Sequence, residues 1–144
     1  MDEYLGELSL FREVAVGAMK AAEYPYLEDY WSDPDRFPLT VWSNQEIVGF
    51  ALVRRLRGRE PPVMQVAEFF VKRDHRRRGI GRAAAVAIWD QFPGPWELQV
   101  LKGNHAAAAF WKECINARAA AWQVDEIHAD DGRRLFFRFH VGPG

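Results

Sequence analysis

The stretch Val71-Lys72-Arg73-Asp74-His75-Arg76-Arg77-Arg78-Gly79-Ile80-Gly81-Arg82 sets paired glycines among cations. It joins an apolar, strand-like run, Val66 to Val71, to a segment rich in helix formers, Arg82 to Asp90. The start of a helix leaves four backbone N–H groups without partners, and its dipole favours negative charge there. Gly79 and Gly81 carry no Cβ, so a ligand can come close to the backbone. Arg76, Arg77, Arg78 and Arg82 add fixed charge able to fork onto phosphate oxygens. Such a junction suits a phosphate, and a pyrophosphate in particular. A basic run alone is a solvated surface, and Gly-x-Gly alone is weak. The order strand, basic loop, glycines, helix carries the signal.

Gly79-Ile80-Gly81-Arg82-Ala83-Ala84 also fits the dinucleotide-binding fingerprint with its last glycine relaxed to alanine. In that fold the first glycine follows its strand almost directly, whereas here Lys72 to Arg78 intervene. The chain also offers few repeated strand–helix units. A Walker loop needs Gly-x-x-x-x-Gly-Lys-Ser/Thr, which is absent.

Arg76-Arg77-Arg78-Gly79-Ile80-Gly81 resembles the Arg/Gln-x-x-Gly-x-Gly/Ala acetyl-CoA loop of the GNAT superfamily of N-acetyltransferases. Upstream, an apolar strand ends in Val71, five residues before Arg76. Downstream, Trp96-Glu97-Leu98-Gln99-Val100-Leu101 reads as the next strand. Asn104, Ala106 to Ala109 and Phe110-Trp111 then follow, similar to the family's Asn-x-x-Ala-x-x-x-Phe-Tyr segment. The likeness covers Val63 to Ile115, and Ala67 to Val71 with Phe110-Trp111 also resembles a little-characterised branch of predicted acetyltransferases. The resemblance implies an α+β fold, a mostly antiparallel mixed sheet flanked by helices. It implies acetyl-CoA as co-substrate and direct N-acetylation of a small-molecule or protein amine. Backbone N–H groups of Phe69, Phe70 and Val71 would hold the pantetheine like an added strand, one of them polarising the thioester carbonyl. The amides of Arg77 to Arg82, Ile80 included, would take the pyrophosphate. Asn104 would either bond the pantetheine or cap a helix. Trp111 stands where many members carry a tyrosine beside the coenzyme.

Glu68 is the leading candidate for a general base. It lies inside an apolar run, where burial would raise its pKa towards the working range of a base; a solvent-facing or arginine-paired Glu68 is the alternative. Glu97, on the following strand, is the weaker candidate. Two departures from the family leave the acid unassigned. Gln99 stands where some members have a glutamate, and the indole of Trp111 is no acid, so core packing beside Phe110 is its simpler role. A thiol pKa near about 8.5 lets the coenzyme leave without one. Cys114 has no histidine near it in sequence and reads as a small buried hydrophobe. His75, His105, His128 and His140 show no metal-ligand spacing, so no metal is expected.

The whole chain sets the frame. Its 144 residues suit one domain, 1–144, and with 49% apolar and 14% aromatic residues it should fold around a real core. A net charge of −1 argues against broad attraction to nucleic acid, leaving a local anion site. No apolar run approaches a membrane span, the start lacks a signal pattern, and the one cysteine cannot form an internal disulfide. A cytoplasmic protein follows, with a homodimer left open. Two rival functions remain: a non-catalytic acyl-CoA-binding module, favoured by Gln99 and Trp111, and a nucleic-acid binder resting only on the arginines.

Helical spacing of Leu5, Leu8, Phe11, Ala15, Ala18 and Met19 predicts a helix from Glu3 to Ala22, which leaves the family's first strand short or missing. Tyr24 to Pro38, broken by prolines, predicts a short helix within loops. Its acids and aromatics suggest a cationic acceptor, with plain solubility and packing as the alternative. Leu39 to Trp42 and Ile47 to Leu56 predict a hairpin about Ser43-Asn44-Gln45, with a third strand at Val63 to Val71. Helices are predicted from Gly79 to Gln91 and from Asn104 to Asn116. Ala119 to Val124 and Arg133 to Val141 predict a closing pair about Asp130-Asp131-Gly132.

Overall fold

The structure, a computed structural model, describes residues 14–18, 33–72, 79–130 and 132–143. Among these residues the chain runs β1 (Ala15–Ala18), β2 (Arg36–Ser43), β3 (Glu46–Leu56), β4 (Val63–Val71), α1 (Ile80–Gln91), β5 (Gly94–Leu101), α2 (His105–Arg118), β6 (Ala121–Ala129) and β7 (Gly132–Val141). The strands form one sheet in the order β1-β2-β3-β4-β5-β7-β6. Every neighbouring pair is antiparallel except β4 and β5, which are parallel.

β1 corrects the first expectation. Ala15 and Ala18, assigned to a helix by spacing, lie in a strand that pairs with Leu39 to Trp42 of β2. Val14 and Val16 pack against the core while Ala15 is exposed, the period of two that a strand demands. The first strand is therefore present and short, four residues long, within the span expected to be helix. The rest of the expected helix, Glu3 to Glu13 and Met19 to Ala22, lies outside the described residues, as do Tyr24 to Ser32.

β2 begins earlier than predicted and takes in Pro38. Among the described residues β1 ends opposite Leu39, so Pro38 has a ladder partner on β3 alone, the place where a residue without an N–H is tolerated. The hairpin to β3 turns on Asn44 and Gln45, both with positive φ (53° and 67°), as a two-residue turn matched to strand twist requires. β4 occupies the predicted Val63 to Val71 but contains a bulge. Leu52 of β3 faces Glu68 and Val53 faces Val66, leaving Ala67 as the extra residue.

Both helices pack on one face of the sheet. α1 buries Ile80, Ala84, Ala85, Ile88 and Trp89, and α2 buries Ala108, Trp111, Cys114 and Ile115, each a single helical stripe. They meet Leu39, Ala51, Val53, Met64, Trp96, Leu98, Phe137 and Phe139, whose register places them on the same side of their strands. Each such large side chain, fully buried, contributes about 1.5–3 kcal/mol. α1 stops before Pro93, which cannot continue a helix. Arg118 ties the end of α2 to Asp90 of α1 at 2.6 Å and to the Gly142 carbonyl at 2.6 Å.

Candidate active site

The sheet comes apart between its two parallel strands. β4 and β5 share only two rungs, Met64 opposite Trp96 and Gln65 opposite Glu97. Beyond them comes the bulge at Ala67, and no further rung joins the two strands towards their C-terminal ends, which leaves a gap in the ladder. Lys72 donates its N–H to the Val48 carbonyl on β3 at 2.7 Å. Strand backbone alternates, so Phe69 turns its own backbone away from β3 and towards the gap.

Both helices start at the open end of this gap, outside the carboxyl ends of adjacent parallel strands, where α/β sheets take their ligands. Gly79 caps α1 in the left-handed region (φ 75°), a conformation that favours glycine. No acidic residue occupies the first turn of either helix. Arg76, Arg77 and Arg78 lie outside the described residues. Ile80 is fully buried with Val41, Val48, Val71 and Ala84, anchoring the helix start to the end of β4. A Cβ on Gly81 would stand 3.0 Å from the Phe110 ring, so its bare Cα lets α2 pack close to the start of α1. Arg82 pairs with Glu113 of α2 at 3.2 Å, but both side chains are exposed, and such a pair is weak enough to exchange.

Asn104 caps α2, its Oδ1 accepting the Ala107 N–H at 3.0 Å. It also lines an open cleft with Leu101, Lys102, Gly103, His105 and Arg133. Lys102 and Arg133 both pair with Glu126, and the Lys102 hydrogen bond in particular holds that carboxyl below its usual range. Trp111 is 8% exposed, with its ring centroid 5.1 Å from Phe69 and 6.1 Å from Trp89. Its place is the packed floor of the gap on the helix face, beside Phe110. Phe70, by contrast, is exposed on the other face and stacks on Phe50 at 5.6 Å.

Glu68 is exposed, so the desolvation expected of it is absent. The bulge is the reason. Strict alternation from Met64 and Val66 would send residue 68 into the core; the extra residue at Ala67 puts Phe69 there instead and turns Glu68 outward. Among the described residues the buried carboxylate is Glu97, 3% exposed, on the last rung before the gap. Its neighbours Trp96 and Leu98 enter the core, so Glu97 points to the face opposite the helices, and Arg59 of the β3–β4 loop bonds it at 2.9 Å. Gln99 accepts from Arg134 at 3.3 Å. Burial, helped by Glu113, pushes the Cys114 thiol up to about 12, so it stays protonated at neutral pH and offers no nucleophile. Asp33 and Asp35 pair with Arg36, Arg55 and Arg57. The Asp35 N–H and then Arg57 and Arg36 hold the Asp33 carboxyl low against opposing desolvation. The rest of their segment, Tyr24 to Ser32, lies outside the described residues.

Sequence reasoning missed two residues. Gly49 faces Val71, and a Cβ on it would overlap the Phe70 carbonyl oxygen. A glycine inside a strand pattern, Val48-Gly49-Phe50, was the available signal. Arg59 gave none, because its partner lies 38 residues away. Among the described residues no cluster of His, Cys, Asp and Glu could hold a metal, and no helix is long and apolar enough to cross a membrane.

The sequence model of the acetyltransferase (GNAT) family matches residues 8–114. The chain belongs to the GNAT family. No curated protein matches the sequence. Solved GNAT structures share its fold at low identity. A Bacillus subtilis acetyltransferase in complex with CoA is 10% identical, with 89% of this chain and 99% of that one covered, at a TM-score of 0.62. The aminoglycoside acetyltransferase AAC(6')-Ib in complex with coenzyme A is 11% identical, with 88% and 94% covered and a TM-score of 0.67. The Escherichia coli ribosomal-protein-S18-alanine N-acetyltransferase is 14% identical, with 100% and 92% covered and a TM-score of 0.55. This GNAT protein is thus an α+β member of an acetyl-CoA-dependent acetyltransferase family, with both described helices on one face of its sheet.

Proposed function

We propose that this GNAT protein is an N-acetyltransferase that moves acetyl from acetyl-CoA directly to an amine. The parting of β4 from β5 after two rungs, with two helix N-termini at the open end, carries the reading. The gap-facing backbone of β4 at Phe69 would bond an extended pantetheine as a strand bonds its neighbour. The first turn of α1, with Arg76 to Arg78 and Arg82, would meet the pyrophosphate. Aromatic packing closes the helix face, so the amine reaches the thioester from the other side, where Glu68, Glu97 and Gln99 stand. The amine nitrogen forms the new C–N bond as the C–S bond breaks. Of the two protons an ammonium gives up, one goes to a base and one ends on the coenzyme sulfur. Glu68, exposed on the rim of the gap, is the proposed proton acceptor, open to exchange with water. The protonated Cys114 thiol favours direct transfer over a covalent enzyme intermediate.

Calorimetric titration with acetyl-CoA, followed by thioester cleavage with a panel of primary amines, tests the proposal. Binding with amine-dependent cleavage is expected. Binding without cleavage would make the chain an acyl-CoA-binding module, and no binding would end the coenzyme assignment.

A further inference from the structure

Glu97 sits in a polar row that crosses the face opposite the helices. Arg36 stands beside Arg54, Arg54 beside Gln65, Gln65 beside Glu97 and Glu97 beside Arg138, each pair in register on neighbouring strands. Glu97 is the one buried charged residue among those described, and it lies where the ladder opens. Arg138 in the same row is engaged by Asp125 at 2.5 Å. The cation that compensates Glu97 is instead Arg59, which reaches in from an exposed loop with one N–H at 2.9 Å. The Arg59 side chain is 50% exposed and that of Glu97 only 4%.

This asymmetry has a chemical meaning. A buried carboxylate stripped of its cation is strongly unfavourable, whereas exchange of one cation for another leaves it compensated throughout. Arg59 stands in a loop whose residues 57–62 are all exposed, so its side chain can swing into solvent. What replaces it must be a cation small enough for a site formed at the junction of two strands. We infer that Glu97 is the seat of the acceptor's ammonium, held by Arg59 until the acceptor displaces it, which makes Glu97 the residue that selects cationic primary amines. The inference rests on the transferase reading above and deepens it. Glu97 holds the amine end at the last β4–β5 rung, beside the bulge, while proton transfer is left to Glu68.

The test compares two nucleophiles with acetyl-CoA at neutral pH: propylamine, an ammonium there, and methoxyamine, which is neutral. Glu97→Gln keeps the shape and removes the charge. It should raise KM for propylamine roughly ten- to a hundred-fold, the loss of one charged hydrogen bond. Methoxyamine turnover and calorimetric acetyl-CoA affinity should hold within about twofold. Glu97→Asp, which restores the charge, should recover part of the preference. A merely structural role would lower both nucleophiles together and overturn the inference, as would an unchanged propylamine KM. If the wild type binds acetyl-CoA but acetylates neither amine, the transferase reading falls and this inference with it. Turnover that keeps its preference in Glu97→Gln removes Glu97 alone.

Discussion

The two faces of the sheet at the β4–β5 gap are built on opposite principles. On the helix face Phe69, Phe110, Trp111 and Trp89 interlock with ring centroids about 5–6 Å apart. On the other face the same strands present Glu68, Glu97, Gln99 and Phe70, and the buried Glu97 is held by a loop arginine. A single backbone opening is therefore walled by packed rings on one side and lined by polar side chains on the other. The bulge at Ala67 lets one strand serve both, by sending Phe69 inward and Glu68 outward. Substitutions on the first face should act on folding and those on the second on turnover.

The largest effect should come from breaking the packed face. Trp89 is fully buried and lies 4.9 Å from Phe139 between ring centroids. Trp89→Ala should cost about 3–5 kcal/mol in urea unfolding. A loss below about 1 kcal/mol would show that the wall is not the stabilising element. Gly49→Ala comes next, because its Cβ would collide with the Phe70 carbonyl and push β3 from β4 beside the gap. It should cost about 1–3 kcal/mol and weaken acetyl-CoA binding as well, read by calorimetry, so that it joins the two faces. A Gly49→Ala variant that binds like the wild type would uncouple the β3–β4 contact from the coenzyme slot.

Gly81→Val should destabilise by about 1–2 kcal/mol through the Phe110 ring, and the double variant with Phe110→Ala should be less than additive. Additive losses would argue against that contact. Glu68→Gln should leave stability within about 0.5 kcal/mol, as expected of an exposed side chain, while lowering turnover. Unchanged turnover would remove Glu68 from proton transfer and leave water as the acceptor.

The smallest effect concerns Cys114. Its folded thiol titrates near 12 against an ordinary 9.0, so folded and unfolded chains hold the same proton below pH 9. Above that the unfolded thiol ionises first, and stability falls as pH rises from 9 towards 12. At pH 9 iodoacetamide should label the native protein far more slowly than the urea-unfolded chain. Rapid labelling would return Cys114 to the list of reactive groups.

The parts legible in the sequence were those with local causes. The limits of β4 followed from its apolar run and flanking turn, and α2 from its asparagine cap and alanine-rich turns. The Gly79 start of α1 followed from chain conformation alone. The failures share a different cause. Val14 to Ala18 is too short for its period of two to compete with a longer helical pattern, and only pairing with β2 decides it. The bulge at Ala67 is set by the partner strand, so nothing in Val66-Ala67-Glu68 announces that Glu68 turns outward. The Arg59–Glu97 pair needs the β3–β4 loop to fold back over the sheet.

The position of β7 bears on how the molecule is made. It follows every other described strand in the chain, yet it lies inside the sheet, between β5 and β6. As the polypeptide leaves the ribosome, β5 carries Trp96 and Leu98 with its outer edge open until Phe137 and Phe139 arrive. Until then the nascent chain displays an apolar edge that another nascent chain could pair with. The demand for chaperones during synthesis should therefore peak between the emergence of β5 and that of β7, and slowing translation over that interval should lower soluble yield without altering a single contact of the finished protein.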